Sequence, residues 1–414
     1  MKILNFGSCN LDFVYSLDHI VRVGETESTT GMEIFPGGKG LNQSIALARA
    51  GMQVYHAGCV GSDGDMLLEL LQSSGVDVSH VARVDSKNGH AIIQVSTKGE
   101  NSIFLYPGSN EMVTGEMVDE VLSHFAADDL LLLQNEISNV DAIVKKAHER
   151  GMRIIFNPSP INERIAHIDF GMLSYLILNE VEAREIGGGE TPEENLCYLR
   201  RTYPNLRVVL TLGEEGSVYA DSLCEVRQAA FSVPVVDTTA AGDTFTGFFV
   251  AEIAKKSTPK EALRMASAAA ALAVSRKGAA PSIPVYAEVI EAQKTLKSNS
   301  HAHKDETLRR QIEDYLAANV KTASLQGLAA DLGYSAVYTG ALVKRLTGSS
   351  FSKLLQSKKC SVAADLLVRT ERSVAEIIRD VGYENESFFR KLFEEKYGKK
   401  PLEFRKKENK THDK

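Results

Sequence analysis

No apolar run in this chain approaches the roughly 18 residues of a membrane span; the Ala-rich stretch 265–274 comes nearest and is too short. The amino terminus, "MKILNFGSCNLD", has neither the apolar core nor the small-residue cleavage site of a secretory signal. It reads as a strand and a turn, and the cytoplasm is the expected compartment. The five cysteines (Cys9, Cys59, Cys197, Cys224 and Cys360) are scattered and form no CxxC pair. That argues against a disulfide framework or a zinc site and leaves buried free thiols as the expectation. His301 and His303 sit in a polar stretch and read as linker rather than as metal ligands. Charge of one sign is also missing. The net charge is −7, yet residues 301–414 carry 22 Lys+Arg against 16 Asp+Glu, whereas residues 1–300 carry 25 against 38. An acidic body with a basic tail suggests that only the tail meets nucleic acid.

What is present is alternation. A length of 414 residues allows two or three domains, each with its own core. Strand-like runs occur at 2–7 (KILNFG), 53–61, 129–134 (DLLLLQ), 153–158, 175–179 (YLILN) and 207–213. Helical patterns fall between them at 42–51, 65–75 and 140–151, most closed by a glycine. Strands apolar throughout and separated by helices predict a mainly parallel sheet covered on both faces. One piece breaks the rhythm: "HAIIQVSTKGENSIFLYP" (90–107) alternates and turns at Lys98–Glu100, predicting a hairpin suited to a lid. Around "SNSHAHKDE" (298–306) periodicity stops, and beyond it the chain reads as helices only. There "DLGY" (331–334) recurs as "DVGY" (380–383), each between two short helices with Ser324 and Ser373 as N-caps. This is a helix-turn-helix, twice.

Three segments of the first part carry chemistry. "DTTAAGDTFTG" (237–247) follows an apolar run and opens a helix. Small residues at a helix N-terminus leave amides free for an anion, and Asp243 in the first turn is placed to act as a base on a hydroxyl. Alone, the segment fits an N-capped small-residue turn equally well. In "GSCNLD" (7–12), Asn10 and Asp12 face one way in an extended loop and suit neighbouring hydroxyls of a polyol; an Asx-rich turn is the alternative. "PGGKGLNQ" (36–43) lacks the spacing and the Ser/Thr of a Walker A loop, but Gly37, Gly38 and Gly40 let backbone approach a ligand and Asn42 opens the next helix.

Taken with "LNEVEA" (178–183) and "TLGEEG" (211–216), these motifs resemble the ribokinase (phosphofructokinase-B type) family of sugar kinases from about Lys2 to Gln293. The resemblance implies an α/β ribokinase-like doubly wound sheet with a small β lid. It implies Asp243 as catalytic base with Ala240, Ala241 and Gly242 as anion hole, and sugar contacts from Asn10, Asp12, Gly38, Lys39, Asn42 and Glu136. Asn179, Thr211, Gly213, Gly216 and Gly242 would meet ATP, and Glu182 would organise Mg²⁺ through water. Asp237, Thr239, Ala273, Gly278 and Ser282 would surround K⁺. Two departures, "KNG" (87–89) in the lid and Asn135 before Glu136, lie where sugar-facing groups are expected. Ribose or a related pentose is the leading substrate; a hexose, sugar acid or nucleoside is the alternative. The family also implies a homodimer paired through the lid.

In the second part, recognition helices are expected at Ala336–Leu346 (Tyr338, Thr339, Lys344) and Asn385–Phe393 (Asn385, Glu386, Ser387, Arg390, Lys391), with Phe389, Leu392 and Phe393 as core. A helical dimerisation module is the alternative on pattern alone. Residues 370–407 resemble the DNA-binding domain of AraC-type transcription regulators, in an all-α double helix-turn-helix spanning about Leu308–Lys407. The first unit matches less well, since Gly340 inside its recognition helix costs about 1 kcal/mol relative to Ala. The expected domains are 1–295, a linker 296–306, and 307–408. The implied function is a sugar kinase whose chain also binds double-stranded DNA as a regulator; a catalytically silent sugar sensor competes with it.

Overall fold

The computed structural model describes residues 1–98, 100–298 and 300–405, with backbone alone over 300–307. The side chains of His301 and His303 therefore lie outside the described residues. Thirteen strands occur in chain order: β1 (Ile3–Phe6), β2 (Asn10–Leu17), β3 (Gly31–Gly37), β4 (Val54–Val60), β5 (Asp77–Arg83), β6 (Gly89–Ser96), β7 (Asn101–Tyr106), β8 (Leu130–Gln134), β9 (Arg153–Asn157), β10 (Tyr175–Asn179), β11 (Arg207–Thr211), β12 (Ser217–Ala220) and β13 (Glu225–Gln228) among the described residues. Nine form one sheet in the order β13-β12-β11-β10-β9-β8-β1-β4-β5. From β11 to β5 every pairing is parallel; β12 and β13 add an antiparallel edge.

The apolar strands are sandwiched as their lack of alternation predicts. In β8, Leu130 and Leu132 face one core with Leu41, Ile45, Phe248 and Phe249, while Leu131 and Leu133 face the other with Ile143 and Phe156. Each fully buried phenylalanine contributes about 1.5–3 kcal/mol of burial. Two helices on the first face, Lys39–Arg49 and Ala241–Ala254, cross closely because Gly247 has no side chain: a Cβ there would overlap Ala46 Cβ. This crossing sets Asn42 and Gln43 against Asp243.

The expected hairpin is present as β6–β7, with Val95 opposite Asn101 and His90 opposite Tyr106. It is half of a four-stranded sheet, β3-β2-β6-β7. Asn10 and Asp12 thus lie on a strand, not in a loop, and alternate positions keep them on one face. The cysteines are all free, but only Cys9, Cys59 and Cys360 are buried; Cys197 and Cys224 are exposed, contrary to expectation, on the outer faces of a helix and a turn.

The chain divides into two compact units, Met1–Ser300 and His301–Lys414. The second contains the helices Ser300–Ala318, Leu325–Leu332, Ala336–Thr347, Phe351–Arg369, Val374–Asp380 and Glu386–Tyr397. Backbone over 300–306, expected as linker, is helical. Ser324 and Ser373 cap their helices as anticipated, Ser373 with Glu376 in a reciprocal capping box. Each helix-turn-helix has its own small core: Leu328, Leu342, Val343 and Leu346 in the first, and Ile377, Ile378, Phe389 and Phe393 in the second. The helix Phe351–Arg369 serves both, through Phe351 and through Cys360, Ala363 and Leu367.

Candidate active site

The parallel strands β8, β9, β10 and β11 end, at their carboxyl ends, in polar residues: Gln134, Asn157, Asn179 and Thr211. Open α/β sheets bind ligands at this edge. A cleft of about 210 Å³ lies there, lined by Lys39, Asn157, Ser159, Asn179, Glu182, Thr211, Thr238, Ala240, Gly242 and Asp243, among others. Residues from "PGGKG", "LNEVEA" and "DTTAAGD" therefore meet at one place.

Asp243 lies in the first turn of the buried helix Ala241–Ala254 and is itself buried. Its carboxylate accepts from Asn42 Nδ2 at 3.0 Å on Oδ2 and from Gln43 Nε2 at 2.9 Å on Oδ1. Among the described residues the buried Asn42 Oδ1 has no partner. Ala240, left-handed with φ 58°, turns the chain into the helix. Among the described residues the amides of Ala240, Gly242 and Asp243 have no acceptor, but the Ala241 amide donates to Thr238 O at 3.2 Å. The Ala241 amide, one of those expected to meet an anion, thus already makes a turn bond.

Glu136 Oε2 accepts from the Lys39 amide at 3.0 Å and from the Ser8 hydroxyl. Gly40 admits this approach, since a Cβ there would overlap the Ser8 amide nitrogen; Gly38 caps the helix. Burial pushes the Glu136 carboxyl above its ordinary value despite the opposing Lys39 and Ser8. Burial pulls Lys39 down, but the carboxylates of Asp243, Glu136 and Glu182 outweigh it and leave its pKa raised. Asp12 is pushed up to about 7, by burial first and then by Glu136 and Asp243. Asn10 Oδ1 accepts from Asn110 Nδ2 at 2.7 Å, which leaves the Asn10 amide to donate.

Asn179 and Glu182 cap one helix reciprocally: Asn179 Oδ1 accepts the Glu182 amide and Glu182 Oε2 accepts the Asn179 amide, each at 2.9 Å. The other Glu182 oxygen accepts from the Ser159 hydroxyl. Gly213 and Gly216 are outside the cleft lining and form the turn between β11 and β12, where Leu212 N donates to Gly216 O at 2.8 Å. The two departures are structural. Asn88 is fully buried, bonding the Gly61 amide (2.6 Å) and Cys9 O (3.2 Å), and so ties the lid to the body instead of facing a sugar. Asn135 holds Pro160 O at 2.6 Å. Sequence reasoning missed Ser8, Gln43, Asn110, Asn157 and Ser159; polar residues ending apolar strands, as in "LLLLQ" and "RIIFN", were the available signal.

Asp237 Oδ1 accepts the Thr239 amide and Oδ2 the Gly278 amide, both at 2.9 Å. Desolvation opposes it, but these bonds and Lys277 hold the Asp237 carboxyl below its usual range. Ala273 O accepts the Arg276 amide at 3.0 Å, and the buried Ser282 hydroxyl donates to Ala279 O at 2.8 Å.

In the second unit, Tyr338 and Lys344 are exposed on the helix Ala336–Thr347. Thr339 is not: it is wholly buried, because its position one turn from Leu342 and Val343 puts it on the core face, so it is no base contact. On the helix Glu386–Tyr397, Asn385 is the N-cap, its side chain accepting the Phe388 amide at 3.0 Å. Ser387 is exposed, Arg390 pairs with Glu386 at 3.3 Å and Lys391 with Glu395 at 4.0 Å. Phe389 and Phe393 are core, as expected.

Among known families, the pfkB family carbohydrate kinase model matches residues 1–285 and a helix-turn-helix domain model matches residues 328–407. Ribokinase of Haemophilus influenzae is 33% identical over 294 residues, covering 69% of this chain and 96% of that protein. Ribokinase of Bacillus subtilis is 35% identical over 296 residues, covering 69% and 97%. The crystal structure of ribokinase from Cryptococcus neoformans with ADP superposes with a TM-score of 0.63 at 34% identity, over 70% of this chain and 99% of that one. Among the described residues no helix is long and apolar enough to cross a membrane. With the sheet, the lid and the cleft in agreement, the chain belongs to the pfkB family of carbohydrate kinases, as an ATP-dependent sugar kinase joined to an AraC-type helix-turn-helix domain.

Proposed function

We propose that the first unit transfers the terminal phosphoryl group of ATP to a hydroxyl of ribose or a related pentose. The observation that carries this reading is Asp243: a buried carboxylate at a helix N-terminus, gripped by two amides, beside amides with no acceptor of their own. Asp243 takes the hydroxyl proton, and the amides of Gly242 and its neighbours meet the charge on the transferring group. Asn10, Asp12, Gly38, Lys39, Asn42 and Glu136 hold the sugar; the ribokinase name of the two relatives described above favours ribose. Asn179, Thr211 and Gly242 line the path of the nucleotide, with Gly213 and Gly216 at its outer turn. Glu182 fits Mg²⁺ through water, being with Asp243 a carboxylate of the cleft lining whose oxygens are already braced by Asn179 and Ser159. Bound there, Mg²⁺ would offset phosphate charge. A K⁺ fits the carboxylate, carbonyl and hydroxyl oxygens of Asp237, Thr239, Gly278 and Ser282, with Ala273 O partly committed to its helix end. Release of ADP over a panel of pentoses, hexoses and nucleosides, with and without K⁺, is the test. No turnover of any sugar would leave a silent sensor.

For the second unit we infer binding to double-stranded DNA, with Ser387, Arg390 and Lys391 toward one groove and Tyr338 and Lys344 toward the next, and regulation of sugar use from a cytoplasmic location. The basic balance of residues 301–414 and the helix-turn-helix match support it. A gel shift with the DNA upstream of the coding sequence tests it. A homodimer through the lid is supported by the exposed Ile103, Phe104, Leu105 and Tyr106 on the edge strand β7; sedimentation of wild type against Phe104→Lys checks it.

A further inference from the structure

Beneath the cleft a run of buried amides ends on Asp243, and its direction is set from both ends. Gln43 Nε2 donates to Asp243 Oδ1 at 2.9 Å and to Asn157 Oδ1 at 3.1 Å. Gln43 Oε1 accepts from Gln134 Nε2 at 2.7 Å, and that same nitrogen donates to Asn5 Oδ1 at 2.9 Å. A backbone carbonyl can only accept. Ile177 O takes the Asn157 amide at 2.9 Å and Gly40 O takes the Asn5 amide at 2.7 Å. Asn157 and Asn5 must therefore turn their oxygens toward the two glutamines, and each glutamine has one allowed orientation. Asn5, Gln43 and Gln134 are wholly buried, so water offers no alternative. Asn42, on the other carboxylate oxygen, is under no such constraint: among the described residues its Oδ1 has no partner.

We propose that Gln43 is a positioning residue that assigns different tasks to the two oxygens of Asp243. Resting on the reading of Asp243 as the base, the assignment is as follows. Oδ1 stays an acceptor throughout, because Gln43 cannot turn away. Oδ2 takes the proton, because the Asn42 amide can turn over and accept from the new O–H. In the step itself the substrate O–H bond breaks and its proton goes to Oδ2. The oxygen's electron pair forms the bond to phosphorus while the bond from phosphorus to the departing ADP oxygen breaks.

The test is steady-state kinetics on the full chain, with melting temperatures to verify folding. Gln43→Leu is expected to lower kcat about 10–100-fold with KM for sugar and ATP within about threefold, the size of a hydrogen bond to a charged group. Gln43→Glu, equal in shape but with an acceptor facing Asp243, is expected to lower kcat at least as far. A residue that only fills space would keep Gln43→Glu near wild type, and that result overturns the proposal. So does unchanged kcat in folded Gln43→Leu, or a rise in KM with kcat intact. Should Gln43→Leu not fold, Gln134→Leu, which does not line the cleft, decides alone: a lower kcat at constant KM supports the proposal, and an unchanged kcat overturns it. Asp243→Asn separates the two levels. If it retains turnover, the base reading fails; if it is inactive while both Gln43 variants are fully active, only the present inference fails.

Discussion

The helix that opens on Asp243 and the helix that opens on Glu386 do opposite things with a polar side chain. In the first unit every residue from Asp243 to Ala254 is buried, and the Asp243 carboxylate is held from two sides by amides about two hundred positions away in sequence. In the second, burial on Glu386–Tyr397 is confined to Phe389 and Phe393, and the cations stand at the surface beside acids of their own helix. The catalytic unit carries its chemistry inside, where low dielectric and fixed dipoles make geometry decisive. The other carries it outside, where screening makes each charge worth little and number matters more.

The contrast can be broken in four ways. Asp243→Asn should lower kcat by roughly a thousandfold or more while leaving DNA affinity unchanged, measured by ADP release and gel shift on the same preparation. Phe393→Ala should cost the second core about 3–5 kcal/mol and abolish the shift, with sugar turnover retained. Asp12, with its pKa raised to about 7, should make sugar binding pH-dependent. As acceptor for a hydroxyl it works ionised, so KM for sugar should fall between pH 6 and 8, by about tenfold, and Asp12→Asn should flatten that profile. The stability sign runs the other way. A carboxyl raised by burial binds its proton more tightly folded than unfolded, so it favours the fold at low pH and loses that advantage as pH rises from about 4 to about 7. Arg390→Ala and Lys391→Ala should have the smallest effect: each reduces the salt slope of DNA binding by about one and affinity modestly, across all sequences alike. An unchanged slope would show that the contact helix is misassigned.

Much of the site was legible because its residues are locally expressive. A helix start after Ala-Ala-Gly, an Asn-x-x-Glu box and a glycine-rich entry each announce backbone geometry within a few positions. The N-caps Ser324 and Ser373 were legible for the same reason. Thr339 was misread because an amphipathic pattern interrupted by Gly340 leaves the helix rotation ambiguous, and packing beside Leu342 and Val343 resolves it toward the core. The place of Asn88 was not legible because nothing near it in sequence reveals that Cys9 O and the Gly61 amide await it.

By itself, then, the sequence determined the class of fold, the two units and the segments that meet at the cleft, since apolar periodicity and turn chemistry act over a few residues. Tertiary structure alone decided which amides hold Asp243 and that Glu136 meets the Ser8 hydroxyl and the Lys39 amide. Those outcomes depend on where strand ends and crossing helices arrive in space, and a Cβ at Gly247 would have been enough to move them.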